Sequence, residues 1–184
     1  AGTVTPASGS SSPNQALTFT TTYFDTDGWT NLQYMLLLIN TSTNGSSCPY
    51  VHYNQNSNRL YLMNDLGSAW QGGFTPGSAN VIENSYAKLD CSKTTVSGSG
   101  NTITISWNIT PKDTFTGLKN IYLNVSDDTN ASTGWISKGT WTVINNDVTA
   151  MPSIVTTNGY RIMVQKRLAN GTLAPEAPYT VKGV

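Results

Sequence analysis

The stretch SSCPYVHYNQNSNRLYLMNDLGSAW, residues 46 to 70, holds the only histidine of the chain, His52, beside Tyr50 and Tyr53. Imidazole is the side chain whose proton exchange lies nearest neutral pH. Base or triad chemistry also needs an oriented nucleophile and a carboxylate in hydrogen-bond reach, and no G-x-S-x-G or comparable frame accompanies His52. It reads as a structural strand histidine. Three short patterns, SYAK at 85 to 88, SDD at 126 to 128 and KGT at 138 to 140, imitate the motifs of penicillin-binding enzymes. The last two are imperfect, and that chemistry sits on a fold with a large helical part for which this chain has no pattern. The two glutamates, Glu83 and Glu176, lack a recognisable glycosidase setting. The chain is therefore expected not to be an enzyme.

Binding chemistry is better represented. Asp25-Thr26-Asp27-Gly28 alternates carboxylates before a glycine, an arrangement that can aim hard oxygens at calcium. The closing carboxylate of a calcium loop is missing, and a plain Asp-Gly turn explains the same letters. Apart from this calcium reading at Asp25 and Asp27, no cofactor is expected. Trp29, Trp70, Trp135 and Tyr53 lie beside turns, where exposed rings could stack on sugars, although tryptophan in a sandwich is more often core. Six N-x-S/T sequons, at Asn40, Asn44, Asn108, Asn124, Asn130 and Asn170, are candidate glycan attachment sites.

These residues need a scaffold, and composition bounds it. A chain of 184 residues can form one domain with a core of its own. Charged residues make up 11% of it, against roughly a quarter in ordinary soluble domains, and the 10 basic and 10 acidic side chains cancel. Nucleic-acid binding is not expected, because phosphate recognition needs clustered, uncompensated cations. The longest apolar run, YMLLLI at 34 to 39, is too short to span a bilayer as a helix. Polarity comes from Thr, Ser and Asn, which suits an extracellular or cell-surface protein. Cys48 and Cys91 are an even pair with no C-x-x-C and no zinc pattern. A disulfide between them is expected and would contribute roughly 4 kcal/mol in the chain-entropy model. Two buried free thiols are the alternative. The lack of an initiator Met and of a signal peptide is expected of a mature or excised product.

Period-2 patterning runs through almost the whole chain and a helical period nowhere, which predicts an all-β fold. ALTFTTTYF sets Leu17, Phe19, Thr21 and Tyr23 on one face with threonines between them, as in a sheet that is wet on one side. NLQYMLLLIN is apolar on both faces, as in a covered central strand. NTITISWNIT turns Ile103, Ile105, Trp107 and Ile109 inward, and Trp141 and Val143 do the same in GTWTVIN. A last hairpin turns at Asn170-Gly171. Short strands with turn signals every 8 to 12 residues indicate a sandwich or barrel.

The segments CPYVHYNQNSNRLYLMNDLGSAWQGGFTPGSANVIENS, VSGSGNTITISWNIT, FTGLKNIYLNVSDDTNASTGW and KGTWTV resemble a module that recurs in large secreted bacterial proteins. The similarity covers roughly residues 4 to 143. It implies an immunoglobulin-like antiparallel β-sandwich and lends no specific function. In that family the second cysteine tends to follow the NS matching Asn84-Ser85 directly, whereas Cys91 comes later. The expected organisation is a linker-like segment over 1–15, a β-sandwich over 16–143 and a C-terminal β-hairpin or tail over 144–184.

Pro175 and Pro178 confine the tail to an edge or an intermolecular groove, with Tyr179 and Val181 as anchors. The leading expectation is an extracellular structural or adhesive protein, a filament subunit that joins copies of itself by strand addition. The alternative is a secreted carbohydrate-binding module that engages surface glycans through exposed aromatics.

Overall fold

Residues 1–144 are described by the computed structural model. They form β1 (Val4–Thr5), β2 (Ser8–Ser11), β3 (Leu17–Phe24), a 3-10 turn (Trp29–Asn31), β4 (Leu32–Asn40), β5 (Tyr50–Asn54), β6 (Arg59–Met63), β7 (Trp70–Phe74), β8 (Val81–Glu83), β9 (Ala87–Asp90), β10 (Thr95–Ser99), β11 (Thr102–Pro111), β12 (Gly117–Asp127) and β13 (Ile136–Val143). The all-β expectation holds. The expected hairpin around Asn170-Gly171 and the tail residues Tyr179 and Val181 lie outside the described residues.

Two sheets pack on each other. One runs β1-β3-β11-β9-β8, with β10 also paired to β11, and the other runs β2-β13-β12-β4-β5-β6-β7. Pairing is antiparallel except between β2 and β13. The first sheet corresponds to strands A, B, E and D of an immunoglobulin domain. The second corresponds to G, F and C with the extra strands of the variable type. The opening strand is shared, since β1 pairs with β3 in one sheet and β2 with β13 in the other.

The linker-like composition of residues 1–15 therefore hides two strands. Their pairing uses backbone groups, and of β1 and β2 only Val4 and Ser11 are buried. Gly9 is required where this segment crosses Trp141, because an added Cβ would stand 2.6 Å from the indole.

The core fills the space between the sheets as the alternation predicts. Phe19, Thr21 and Tyr23 from β3 and Ile103, Ile105, Trp107 and Ile109 from β11 are buried, facing Met35, Leu37 and Ile39 of β4 and Ile121, Leu123 and Val125 of β12. Polar atoms carried inside find partners. Trp107 Nε1 donates to Thr21 Oγ1 at 2.8 Å, Trp141 Nε1 to Ser11 Oγ at 3.1 Å, and Tyr23 Oη crosses between the sheets to Leu36 O at 3.1 Å. The Phe19 and Trp141 rings meet edge to face at 5.2 Å across the sandwich.

The expected disulfide is not formed. Cys48 and Cys91 are buried free thiols. Cys48 precedes β5 and Cys91 follows β9, so they belong to segments of different sheets, and each is pinned locally. Cys48 O accepts from Asn84 Nδ2 at 3.0 Å, while Cys91 N donates to Asn80 O at 3.0 Å. Burial pushes the Cys48 thiol up to about 12 and that of Cys91 up to about 11, so both stay protonated and inert near neutral pH.

Candidate functional site

The outer face of the seven-stranded sheet carries a shallow groove of about 600 Å3, within the 300–1,000 Å3 range of small-molecule sites. Register assembles it. Asn124 of β12 stands opposite Leu36 of β4, Leu36 opposite His52 of β5, and His52 opposite Tyr61 of β6. The flanking row sets Ser126 opposite Tyr34 and Tyr34 opposite Asn54. Each of these side chains stands on the face opposite the core, because Met35, Leu37, Val51, Leu60, Leu62, Leu123 and Val125 take the alternate positions.

Trp70 completes the groove through a backbone irregularity. Residues 70 and 74 have the same parity, so a regular strand would turn both to one face. The β6 to β7 pairing shifts at Leu60/Tyr61, where Gly72 and Gly73 take φ values of 109° and 86°. This bulge lets Phe74 pack against the core while Trp70 stays on the outer face, 36% exposed.

The rings form one connected cluster. His52 lies edge-on to Trp70 at 4.1 Å and to Tyr34 at 5.5 Å, and tilts over Tyr61 at 4.6 Å. Tyr50 meets Trp70 at 4.7 Å and Trp135 at 5.4 Å, both near perpendicular. Such edge-to-face contacts hold each ring in place while leaving aromatic surface outside. Burial lowers the His52 pKa to about 4, so the imidazole is neutral near pH 7. Burial, then the neighbouring Cys48, pushes Tyr50 up to about 12.

A polar wall rises beside the rings from the loop between β12 and β13, which brings Asn130 and Ser132 to the groove. Asp127 shapes this loop. Its Oδ1 accepts from Thr129 N and Thr129 Oγ1 at 2.8 Å and from Ala131 N at 2.9 Å, and these bonds, that of the Thr129 hydroxyl first, hold the carboxyl below its ordinary range. Ser132 Oγ donates to Asn124 Oδ1 at 2.8 Å. Asn56 Nδ2 ties the β5 to β6 turn to Asp128 Oδ1 at 2.7 Å.

Two of the four aromatics expected to stack on sugar, Trp70 and Trp135, belong to this cluster. The other two do not. Tyr53 points into the core at 4% exposure, its hydroxyl donating to Asn58 Oδ1 at 2.9 Å. Trp29 covers Gly98 of β10, where an added Cβ would stand 2.2 Å from the ring. Sequence reading missed Tyr34, Tyr50 and Tyr61 as members. The signal that could have found them is a run of aromatics at even spacing, 50 and 52 on one strand and 61 on the next.

The remaining candidates are accounted for locally. Asp25 Oδ1 accepts from Asp27 N at 2.8 Å, an Asx turn, and no group of three or more His, Cys, Asp or Glu fit to hold a metal occurs among the described residues. Glu83 pairs with Lys88 at 3.3 Å and with Lys112 at 3.5 Å, and Glu176 lies outside the described residues. Ser85 donates to Asp65 Oδ2 at 2.6 Å, so Ser85 and Lys88 are engaged with different carboxylates.

Among the sequons, Asn108 is 8% exposed and donates to Thr18 Oγ1, which leaves no room for a glycan. Asn40 donates to Asn44 O at 2.8 Å, and Asn44 Oδ1 accepts from Ser46 N at 3.0 Å within the same loop. Asn124 and Asn130 line the groove, and Asn170 lies outside the described residues. No helix among the described residues is long and apolar enough to cross a membrane.

The chain matches no protein family and no curated protein. Function is therefore read from the geometry of the groove.

Proposed function

We propose that this domain is a secreted carbohydrate-binding module that engages glycans through the outer face of its seven-stranded sheet. The observation that carries the reading is Trp70, a ring exposed on a sheet face and clamped by His52 and Tyr50 inside a groove walled by amides and hydroxyls. A pyranose presents C–H groups on one face and hydroxyls at its edge. The C–H face suits the negative face of an aromatic ring, and the hydroxyls suit the Nδ2 donors of Asn54 and Asn124, whose Oδ1 atoms already accept from Ser57 N and Ser132 Oγ, and the amide of Asn130. The rings are already packed, so little ordering entropy opposes binding.

The filament reading rests on residues 145–184, which lie outside the described residues. The described residues themselves supply counterparts of strands A to G in two continuous sheets, with no vacant position between neighbouring strands. The groove thus favours the glycan reading over strand addition.

Affinity electrophoresis in gels carrying soluble polysaccharides tests it. The native chain is expected to be retarded by at least one of them. Trp70→Ala is expected to weaken retention tenfold or more, about 1.4 kcal/mol. Equal mobility of both proteins in every gel would remove the proposal.

A further inference from the structure

We propose that His52 is the hydrogen-bonding anchor of the groove, reading a hydroxyl group of an uncharged sugar. This deepens the carbohydrate reading above and rests on it.

His52 is 94% buried by its 6% exposure, yet no hydrogen bond reaches its ring nitrogens among the described residues. Buried polar groups are nearly always partnered. Ser78 Oγ is the one fully sealed side-chain polar atom left without a partner among the described residues, so the imidazole nitrogens are unpartnered but open to the groove they line. A neutral imidazole offers one N–H donor and one lone-pair acceptor, a pair that a hydroxyl can satisfy from either side. The contacts with Tyr34, Tyr61 and Trp70 fix the ring plane, so the direction of that hydrogen bond is set before any ligand arrives.

Charge narrows the ligand class. No Asp, Glu, Lys or Arg lines the groove. At its end, Arg59 stands opposite Asn54, while Asp128 is bonded to Asn56 and Asp127 to its own loop. A uronate or other anionic sugar would leave its carboxylate over an aromatic floor with no cation lining it, an expensive desolvation. Aromatic grooves also bind proline-rich peptides. A proline set against the imidazole has no N–H to offer its acceptor, whereas a sugar hydroxyl fills it.

The test uses the full chain in gels carrying neutral polysaccharides (a β-glucan, a galactomannan, an arabinoxylan) and acidic ones (polygalacturonate, alginate). A proline-rich peptide is offered as a competitor. His52→Phe keeps a ring and removes both nitrogens, and His52→Gln restores a donor and an acceptor. Near-UV circular dichroism checks each fold. A neutral polysaccharide is expected to retard the native chain, His52→Phe to weaken retention tenfold or more, and His52→Gln to recover part of it. Native-like retention of His52→Phe overturns the inference, as does stronger, salt-sensitive retention on the acidic polysaccharides or displacement by the peptide.

If Trp70→Ala abolishes retention and His52→Phe does not, the assignment of His52 falls and the carbohydrate reading stands. If no polysaccharide retards the native chain, both fall. Should His52→Phe not fold, the ring signals of His52 in an NMR titration of the native chain decide. They shift with a bound neutral oligosaccharide, and unmoved signals in a retarding sugar overturn the proposal.

Discussion

On the outer face of the six-stranded sheet, Thr22 stands opposite Thr104, Thr20 opposite Ser106 and Thr18 opposite Asn108. On the outer face of the seven-stranded sheet, equivalent rows hold Leu36, His52 and Tyr61, flanked by Tyr34 and Trp70. The first face hydrogen-bonds to itself and to water, as in the Thr20 to Ser106 contact of 3.0 Å. It meets solvent mostly with hydroxyls and amides. The second face replaces them over a limited area with fixed rings and amides. Since β-branched threonine satisfies a half-exposed strand at least as well as tyrosine or histidine, the fold does not require the aromatic face. On the carbohydrate reading proposed above, the groove these rings line is what distinguishes the two faces.

The largest effect is expected from writing the first face onto the second. Tyr61→Thr combined with Trp70→Thr keeps strand propensity and removes the platform. Glycan affinity is expected to fall about a hundredfold or more, roughly 2.8 kcal/mol, with the far-UV spectrum unchanged. Isothermal titration calorimetry of the double variant checks this, and retained affinity would mean that the two faces do not differ in function.

The threonine face could be read from sequence and the aromatic face could not. Residues 17 to 23 and 102 to 109 alternate strictly, so their inward and outward sets followed from parity alone. The groove depends on which strands lie side by side, a long-range property that no local pattern records. It also depends on a bulge at Gly72-Gly73 that breaks parity just where Trp70 is placed. Tyr53 stands beside a turn, as an exposed ring would, yet points into the core, while Tyr61 has the pattern of an ordinary strand residue. Strands β1 and β2 escaped notice because parallel and edge pairing is made by the backbone, whatever the side chains.

Acid gives the next effect, confined to the aromatic face. His52 binds a proton with a pKa of about 4 when folded and 6.5 when free. Between these values the unfolded chain holds the extra proton, so stability falls as pH falls through this window. The difference corresponds to roughly 3 kcal/mol. The side chains packed on the imidazole are Tyr34, Tyr61 and Trp70, and no Asp, Glu, Lys or Arg lines the groove beside it. The carboxyls held low by hydrogen bonds, Asp65, Asp90 and Asp127, contribute stability that is lost only below about their ordinary 3.8, and Glu83, held low first by its hydrogen bond with Lys88, begins to lose its contribution near its ordinary 4.5, at the acid end of the window. Urea unfolding at pH 7 and pH 4.5 is expected to show most of the loss, and His52→Phe to flatten the interval. An unchanged slope in that variant would place the titrating group elsewhere.

The smallest effect is expected on the threonine face, at Thr104→Lys. Thr104 lies on β11 between β3 and β10, opposite Thr22 and Ser97, with its side chain half exposed and in no hydrogen bond among the described residues. Substitution trades β-branched packing for a long aliphatic stem that can lie along the neighbouring threonines with its ammonium in water. No buried partner is lost, so the change in stability is expected to stay within about 0.5 kcal/mol. Thr104 sits across the whole thickness of the sandwich from His52, and a single exposed charge is screened beyond about 8 Å at physiological salt. Affinity for a neutral glycan is therefore expected to be unchanged within about twofold. A tenfold loss in Thr104→Lys, with unfolding by urea unaltered, would show that ligand touches both faces and that the division of labour between them is wrong.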